Sequence, residues 1–460
     1  MKKLIPSVIA FATVMGASAQ SYNMEILLKN GSTTTISTEE ISEVRFVESA
    51  PVEAFNILTE EYIPDSALRD AIKVQVANGS DVLTNVEAAA YNGALELNSP
   101  EVFNFKGIEY LTSLQALYGD YTKAQSIDVS MLKDLQVLSL NRCEFLKTLE
   151  LGNPKKLRAF NIGSTQLKQF DLSILPDSMA FINVESLGYA TLDFSRFADI
   201  EEINCAQNEL TSLNVENLPK LNSLVCSTNQ LTELNLSGCT NLFNFVATFN
   251  TELVKVNLDG CNKLGKVYLM YTAVTEFDAQ PVKSTLEELN LGYTKISEIN
   301  TSGCTQLTYL AVNDTQLTQA PDLKGCVNLD ELRVENTHIP SLDVSDCSVI
   351  HEMHCYSIPE LKSVIMASDL PNLYNLNLFD VPALTYFEWG KTKILGYANV
   401  YMTGLSRIDI SKMNPDVRYG MFSYNENMTE IKVWPEFDIK NPPSNIEKDA
   451  NTKFVYEFTE

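Results

Sequence analysis

Histidine is scarce in this chain, basic residues are outnumbered, and long apolar runs are missing. Only three histidines occur in 460 residues. Two of them, His351 and His354, stand in the segment HEMHC beside Cys355. A zinc-protease helix places two histidines four residues apart so that both face one metal. Three apart on an expected strand, this pair falls on opposite faces, and Cys355 points toward the core, which is wrong for a nucleophile. His338 is isolated. No CxxC pair, glycine-rich phosphate loop, GxSxG or DxDxDG loop is present, which removes zinc knuckles, P-loop chemistry, serine hydrolases and EF-hands. No catalytic residue, metal site or cofactor is therefore expected.

Lysine and arginine number 34 against 59 aspartates and glutamates, a formal charge of -25. Nucleic acid and anionic membranes both demand basic surface and are excluded as partners. The excess of acid reads first as what keeps a long molecule soluble. The one apolar run near the start, Leu4–Met15, is too short to span a bilayer. It follows Lys2 and Lys3 and precedes Ala17-Ser18-Ala19, so residues 1–19 read as a signal peptide with a mature start at Gln20. Without a lipid-accepting cysteine there or a hydrophobic C-terminal tail, export without membrane insertion is expected, to the cell surface, the medium or the periplasm.

What the chain has in abundance is self-similarity. Leu221–Leu307 contains LNSLVCSTNQLTELNLSGCTN, then LFNFVATFNTELVKVNLDGCNK, then, after one degenerate turn, LEELNLGYTKISEINTSGCTQ. Apolar residues recur at relative positions 1, 4, 6, 11, 14 and 16, followed by Ser-Gly-Cys or Asp-Gly-Cys. This is the spacing of a leucine-rich repeat, one rung of a solenoid per unit. Fifteen rungs start at Leu114, Leu135, Leu157, Met179, Ile200, Leu221, Leu242, Leu264, Leu286, Leu307, Leu329, Ile350, Leu373, Ile394 and Val417, 21 to 23 residues apart. So short a period leaves no room for a full convex helix. The expectation is an α/β solenoid with a parallel concave β-sheet and extended or 3₁₀ segments on the convex side.

Other segments flank the array (114–434). Residues 20–50 read as a small β module, in which Met24, Ile26 and Leu28 alternate before the Asn30-Gly31 turn. Residues 51–113 read as an N-terminal helical cap. Pro64-Asp65 opens one helix with Leu68, Ala71 and Ile72 on one face, and Thr84 with Glu87 forms a capping box for a second. A first rung has no neighbour to cover its core edge, so such a cap is required. Residues 435–460 read as a C-terminal cap with a final strand in Lys453–Phe458. The segments IPDSALRDAI, LTNVEAAA and FKGIEYLTSLQAL are similar to the N-terminal cap and first rung of internalin-like leucine-rich repeat proteins. The array departs from that family where Thr165, Thr272, Thr294, Thr315 and Thr337 replace the repeat asparagine, and where a cysteine follows the second apolar pair. The resemblance implies recognition of a protein, with adhesion to a host or neighbouring cell as its setting.

Of the nine cysteines, Cys239, Cys261, Cys304, Cys326 and Cys347 share one rung position, while Cys205, Cys226 and Cys355 replace an apolar strand residue. They read as small buried core residues, although neighbours such as Cys239 and Cys261, or Cys326 and Cys347, also suit disulfide spacing. On the concave face the N-terminal rungs present small or polar residues: Ser139, Asn141, Asn161, Gly163, Asn204, Ser223 and Ser227. From Leu264 onward aromatics gather, with Tyr268, Met270, Tyr271, Tyr293, Tyr309, Tyr356, Phe379, Tyr401, Tyr419 and Tyr424, and Glu331, Arg333, Glu335 and His354 among them. We take Tyr268, Met270, Tyr271, Tyr293, Tyr309, Arg333, His354, Tyr356, Phe379 and Tyr401 as a partner-binding set. Rigid exposed rings supply contact area at little entropic cost; the alternative is that they stack along the ladder and only stabilise it. Glycan capture on the same rings, or a passive envelope role without a ligand, are the competing functions.

Overall fold

The computed structural model describes residues 23–27, 33–37, 53–367, 369–388, 391–392, 396–413 and 417–459. The signal-peptide reading of residues 1–19 lies outside them, as does most of the 20–50 module. The chain divides into two compact units, residues 1–53 and 54–460. In the first, Asn23–Leu27 pairs antiparallel with Thr33–Ser37.

The second unit opens with two helices. In Ser66–Gln75 the Asp65 side chain caps the start by accepting from the Leu68 N–H at 3.0 Å, and Leu68 and Ile72 are buried. Asn85–Ala90 carries the reciprocal Thr84–Glu87 capping box. Each cap satisfies backbone donors that a short helix otherwise leaves open, a contribution of about 1 kcal/mol.

A parallel sheet of seventeen strands follows, one per rung, from Ala94–Glu96 to Ile446–Lys448. Neighbours pair in register, for example Leu224 beside Ile203 on one side and Phe245 on the other. At roughly 4.8 Å per strand the stack is about 75 Å long. The central residue of each strand and the residue two further on point inward, so Leu224, Cys226, Phe245 and Ala247 are fully buried. Each such leucine contributes about 2 kcal/mol by leaving water. On the convex side the chain is extended or 3₁₀, as the period predicts. Short ladders form there, such as Glu233–Asn235 with Lys255–Asn257 and Ser341–Asp343 with Ser363–Ile365, and 3₁₀ turns at Leu172–Ile174 and Gln280–Val282. One rung is displaced from its expected register. Tyr397–Asn399 buries Ala398 and Val400, one residue later than a start at Ile394 implies, because the rung from Leu376 to Ala398 takes 22 residues where that start allows 21.

The Ser-Gly-Cys corners have a specific cause. Gly238 sits at φ +82, and a Cβ there would meet Asn217 Oδ1 at 2.5 Å, so glycine is favoured, although Asn217 holds the same corner of the preceding rung at φ 56. The following thiol is small enough for the corner and also donates to a carbonyl of the preceding rung, as Cys239 Sγ does to Val215 O at 3.1 Å and Cys261 Sγ to Leu236 O at 3.2 Å. All nine cysteines are buried free thiols. Burial pushes the thiols of Cys226, Cys261, Cys326 and Cys347 up to about 12 and that of Cys304 up to about 11, above the ordinary 9.0. A thiol whose folded value exceeds its unfolded one holds its proton more tightly in the native chain. Its contribution to stability is complete below pH 9 and fades as pH climbs through the folded value. The urea midpoint is therefore expected to fall steadily between about pH 9 and pH 11. A flat profile over that window would remove the thiols from the core.

Candidate functional site

Three residues of each rung after the core leucine, at relative positions 3, 5 and 7, front the concave sheet, and position 8 follows in a left-handed turn. Residues there have positive φ whatever their type: Thr228 (55), Phe249 (59), Tyr271 (57), Tyr293 (57) and Asp314 (54). This conformation costs a non-glycine residue about 1 kcal/mol, and inter-rung bonds such as Tyr271 N–H to Gly292 O (3.1 Å) and Tyr293 N–H to Asn313 O (2.9 Å) hold it in place.

The expected aromatics resolve into two three-ring stacks and separate neighbours. Phe249, Tyr271 and Tyr293 stack at 4.7 and 4.3 Å between centroids. Tyr356, Phe379 and Tyr401 stack at 4.6 Å in both steps, with nearly parallel rings. In each stack the middle ring has both faces covered and presents its edge. The open faces belong to the ends, and Phe249 and Tyr293 remain 48% and 43% exposed. Phe249 escaped the sequence reading, although it stands one period before Tyr271 at the same rung position. Rings also front the N-terminal rungs: Tyr118 and Phe181 are half-buried and Tyr121 is 50% exposed. The imbalance between the two ends is therefore smaller than the sequence list implies.

Tyr268 and Tyr309 do not join the stacks. The Tyr268 hydroxyl donates to Glu288, whose other oxygen accepts from Lys266 Nζ at 2.7 Å. Met270 lies against Asn290, and Asn290 Nδ2 reaches the Tyr309 hydroxyl at 3.5 Å. Burial raises the Tyr268 and Tyr309 hydroxyls above the ordinary 10.0, and burial with the Asp314 carboxylate pushes Tyr293 up to about 12. All three phenols are neutral donors at neutral pH.

Between the stacks lies a charged cluster. Glu331 and Glu352 are cross-strand partners, and like charges so placed repel. Burial first, and Glu352 second, hold the Glu331 carboxyl above its ordinary range. Arg333 Nη1 approaches Glu331 at 3.8 Å, while its Nε and Nη2 both donate to Glu335 Oε1 at 3.1 and 2.8 Å. Glu335 is a correction to the concave list, since it is 1% exposed and serves to anchor Arg333. His354 Nδ1 accepts from Asn377 Nδ2 at 3.2 Å, which leaves the proton on Nε2, 3.4 Å from Glu352. Asn399 extends the row by donating to Asn377 Oδ1 at 2.7 Å. The ligand atoms of Glu331, Glu352 and His354 lie within 4.8 Å of one another, a set that could hold a metal. The hydrogen bonds of His354 and the guanidinium beside Glu331 account for the same cluster as an ion-pair network. His351 does not converge on it, pairing instead with Asp330.

The leucine-rich repeat domain of the endo-beta-N-acetylglucosaminidase EndoS, as a family model, matches residues 63–175, less than half of the chain. No curated protein sequence matches. Among solved structures, the functional domain of InlJ from Listeria monocytogenes, which includes a cysteine ladder, is similar over 86% of this chain and 81% of its own, at 19% identity and a TM-score of 0.57. The internalin inlF from Listeria monocytogenes is 19% identical over 73% and 92% of the two chains, with a TM-score of 0.42. YopM, a leucine-rich effector protein from Yersinia pestis, is 16% identical over 80% and 94%, with a TM-score of 0.49. Among the described residues no helix is long and apolar enough to cross a membrane. With the period, the sheet and the InlJ likeness in agreement, this chain has the leucine-rich repeat fold.

Proposed function

We propose that the chain is an exported, non-enzymatic recognition protein that binds another protein through the C-terminal half of its concave sheet. The observation that carries this reading is the pair of ring stacks flanking the Glu331–Arg333–Glu352–His354 network. Both are held by the sheet, so little side-chain freedom is lost on binding. A sugar ring packs on an open aromatic face, and in these stacks the middle rings offer only edges. Ring edges, hydroxyls and a mixed-charge centre suit a protein surface better.

The glycan reading retains one specific support, the match of residues 63–175 to a repeat domain named for an endoglycosidase. That match lies in the N-terminal rungs, away from both stacks. The residues that read as export signal and the repeat resemblance together favour a surface or extracellular setting, with a host or neighbouring-cell protein as partner.

The test compares the chain with Tyr271→Ala plus Tyr293→Ala in a pull-down from cell-surface extract and on a glycan array. A captured protein that the double variant loses is expected, with the array silent. The variant's own stability should fall by only about 1–3 kcal/mol, the worth of the two stacked pairs that it removes. Sugar binding that survives the double change, or capture indifferent to it, would sink the concave reading.

A further inference from the structure

One convex ladder is less well buried than the others. Elsewhere the central strand residue is sealed, as Ile127 (2%), Leu234 (3%), Leu342 (1%) and Ile431 (0%) show. Val256, at the centre of Lys255–Asn257, is only half-buried, and so is Leu258. This strand pairs with Glu233–Asn235 on one edge. Among the described residues nothing pairs with its other edge, and no backbone hydrogen bond joins it to residues 276–279 of the following rung. The sequence supplies the reason. Val-Asn-Leu-Asp-Gly-Cys in one rung becomes Phe277-Asp278-Ala279-Gln280-Pro281-Val282 in the next. Gly238 N–H reaches Asp259 O at 3.0 Å. Pro281, where the next rung would repeat the glycine, lies in a 3₁₀ turn, Gln280–Val282, so the next rung leaves the path that its neighbours follow at this corner.

A groove of about 790 Å³ opens beside this edge, floored by Val256, Leu258, Phe277 and Ile299. Its charged lining residues are Asp259, Glu276, Asp278 and Glu298, with no lysine or arginine. Two other hollows on the same solenoid include lysines, Lys220 and Lys263 in one and Lys255 in the other, while a third sets His351 among Asp330, Glu331 and Glu352. We infer that this edge docks an extended segment of a partner protein in which apolar residues alternate with lysine or arginine. The free strand edge supplies main-chain hydrogen bonds, the half-buried valine and leucine receive alternate side chains, and the carboxylates select the basic ones. A second copy of this chain would set four carboxylates against the same four.

The test titrates the full chain with a short fluorescein-labelled peptide of alternating valine and lysine, beside lysine–serine and valine–glutamate controls. Saturable binding of the valine–lysine peptide alone is expected, with slowed amide exchange at residues 254–259. Glu276→Lys with Glu298→Lys, both exposed, should weaken it about tenfold or more. Equal binding of the lysine–serine peptide, indifference to the charge reversal, or protection confined to the concave strands would overturn the inference. Protection of residues 254–259 that appears on concentrating the chain without peptide would do the same, in favour of self-association.

Discussion

Arg333→Met is expected to lower the unfolding free energy by about 3 kcal/mol, a large loss for a half-exposed residue. The cost arises in its partner. Glu335 is buried, and its Oε1 accepts both guanidinium bonds, while its Oε2 has no partner among the described residues. Removing Arg333 leaves a buried carboxylate without its compensating charge. Replacing both partners, as in Arg333→Met with Glu335→Leu, should recover most of the loss, because no uncompensated charge then remains. Urea unfolding of the two single variants and the double variant measures this coupling. Additive losses, or a loss under about 1 kcal/mol for Arg333→Met, would show that the pair is not a unit. The same result bears on binding assays, since a failure of Arg333 variants to bind would partly report a disturbed sheet. The Tyr271 and Tyr293 changes are the cleaner probe.

The second large effect concerns the repeat asparagine. Asn229 Nδ2 donates to Cys205 O at 3.1 Å and Cys226 O at 3.0 Å, and its Oδ1 accepts from Leu210 N–H at 3.0 Å. Asn208 and Asn250 repeat the pattern one rung to either side and share those carbonyls. Asn229→Ala leaves the carbonyls with a neighbour's amide but strands the buried Leu210 N–H, and should cost about 3 kcal/mol. Asn229→Thr should cost less. Threonines already stand at this position in other rungs, where Thr294, Thr315 and Thr337 donate to the carbonyl three residues back at 2.6, 2.6 and 2.7 Å. A hydroxyl keeps that local bond and gives up the one between rungs. Stability by urea titration should therefore rank asparagine, threonine, alanine. Equal losses for the two substitutions would mean that the local bond carries no weight. Because each rung contacts only its neighbours, a broadened transition is also expected in the alanine variant, as the array begins to unfold in parts.

Both effects bear on how the partner-binding reading should be weighed. The concave face is a set of coupled rows, and residues such as Tyr268 and Arg333 hold neighbours in place as well as facing solvent. Phe249 and Tyr293, at the ends of their stack, are the residues whose loss removes most exposed ring at least cost to the rows.

The order of the chain was legible before any coordinates. Apolar spacing alone located the strands, because a short period admits one solution in which every leucine is covered by the next rung. The helix caps at Asp65 and Thr84 were equally readable, since capping is local chemistry. The one displaced register, at Tyr397–Asn399, fell where rung length changes and a fixed period loses phase. What remained hidden were properties that arise between rungs. That Tyr271 is sandwiched while Phe249 and Tyr293 keep open faces, that Glu331 meets Glu352 across the sheet, and that Val256 lies uncovered beside Pro281 all depend on residues about one rung away in sequence. A linear pattern fixes which residues point the same way. Only stacking decides which of them touch, which are left facing water, and which charges must share the space between them.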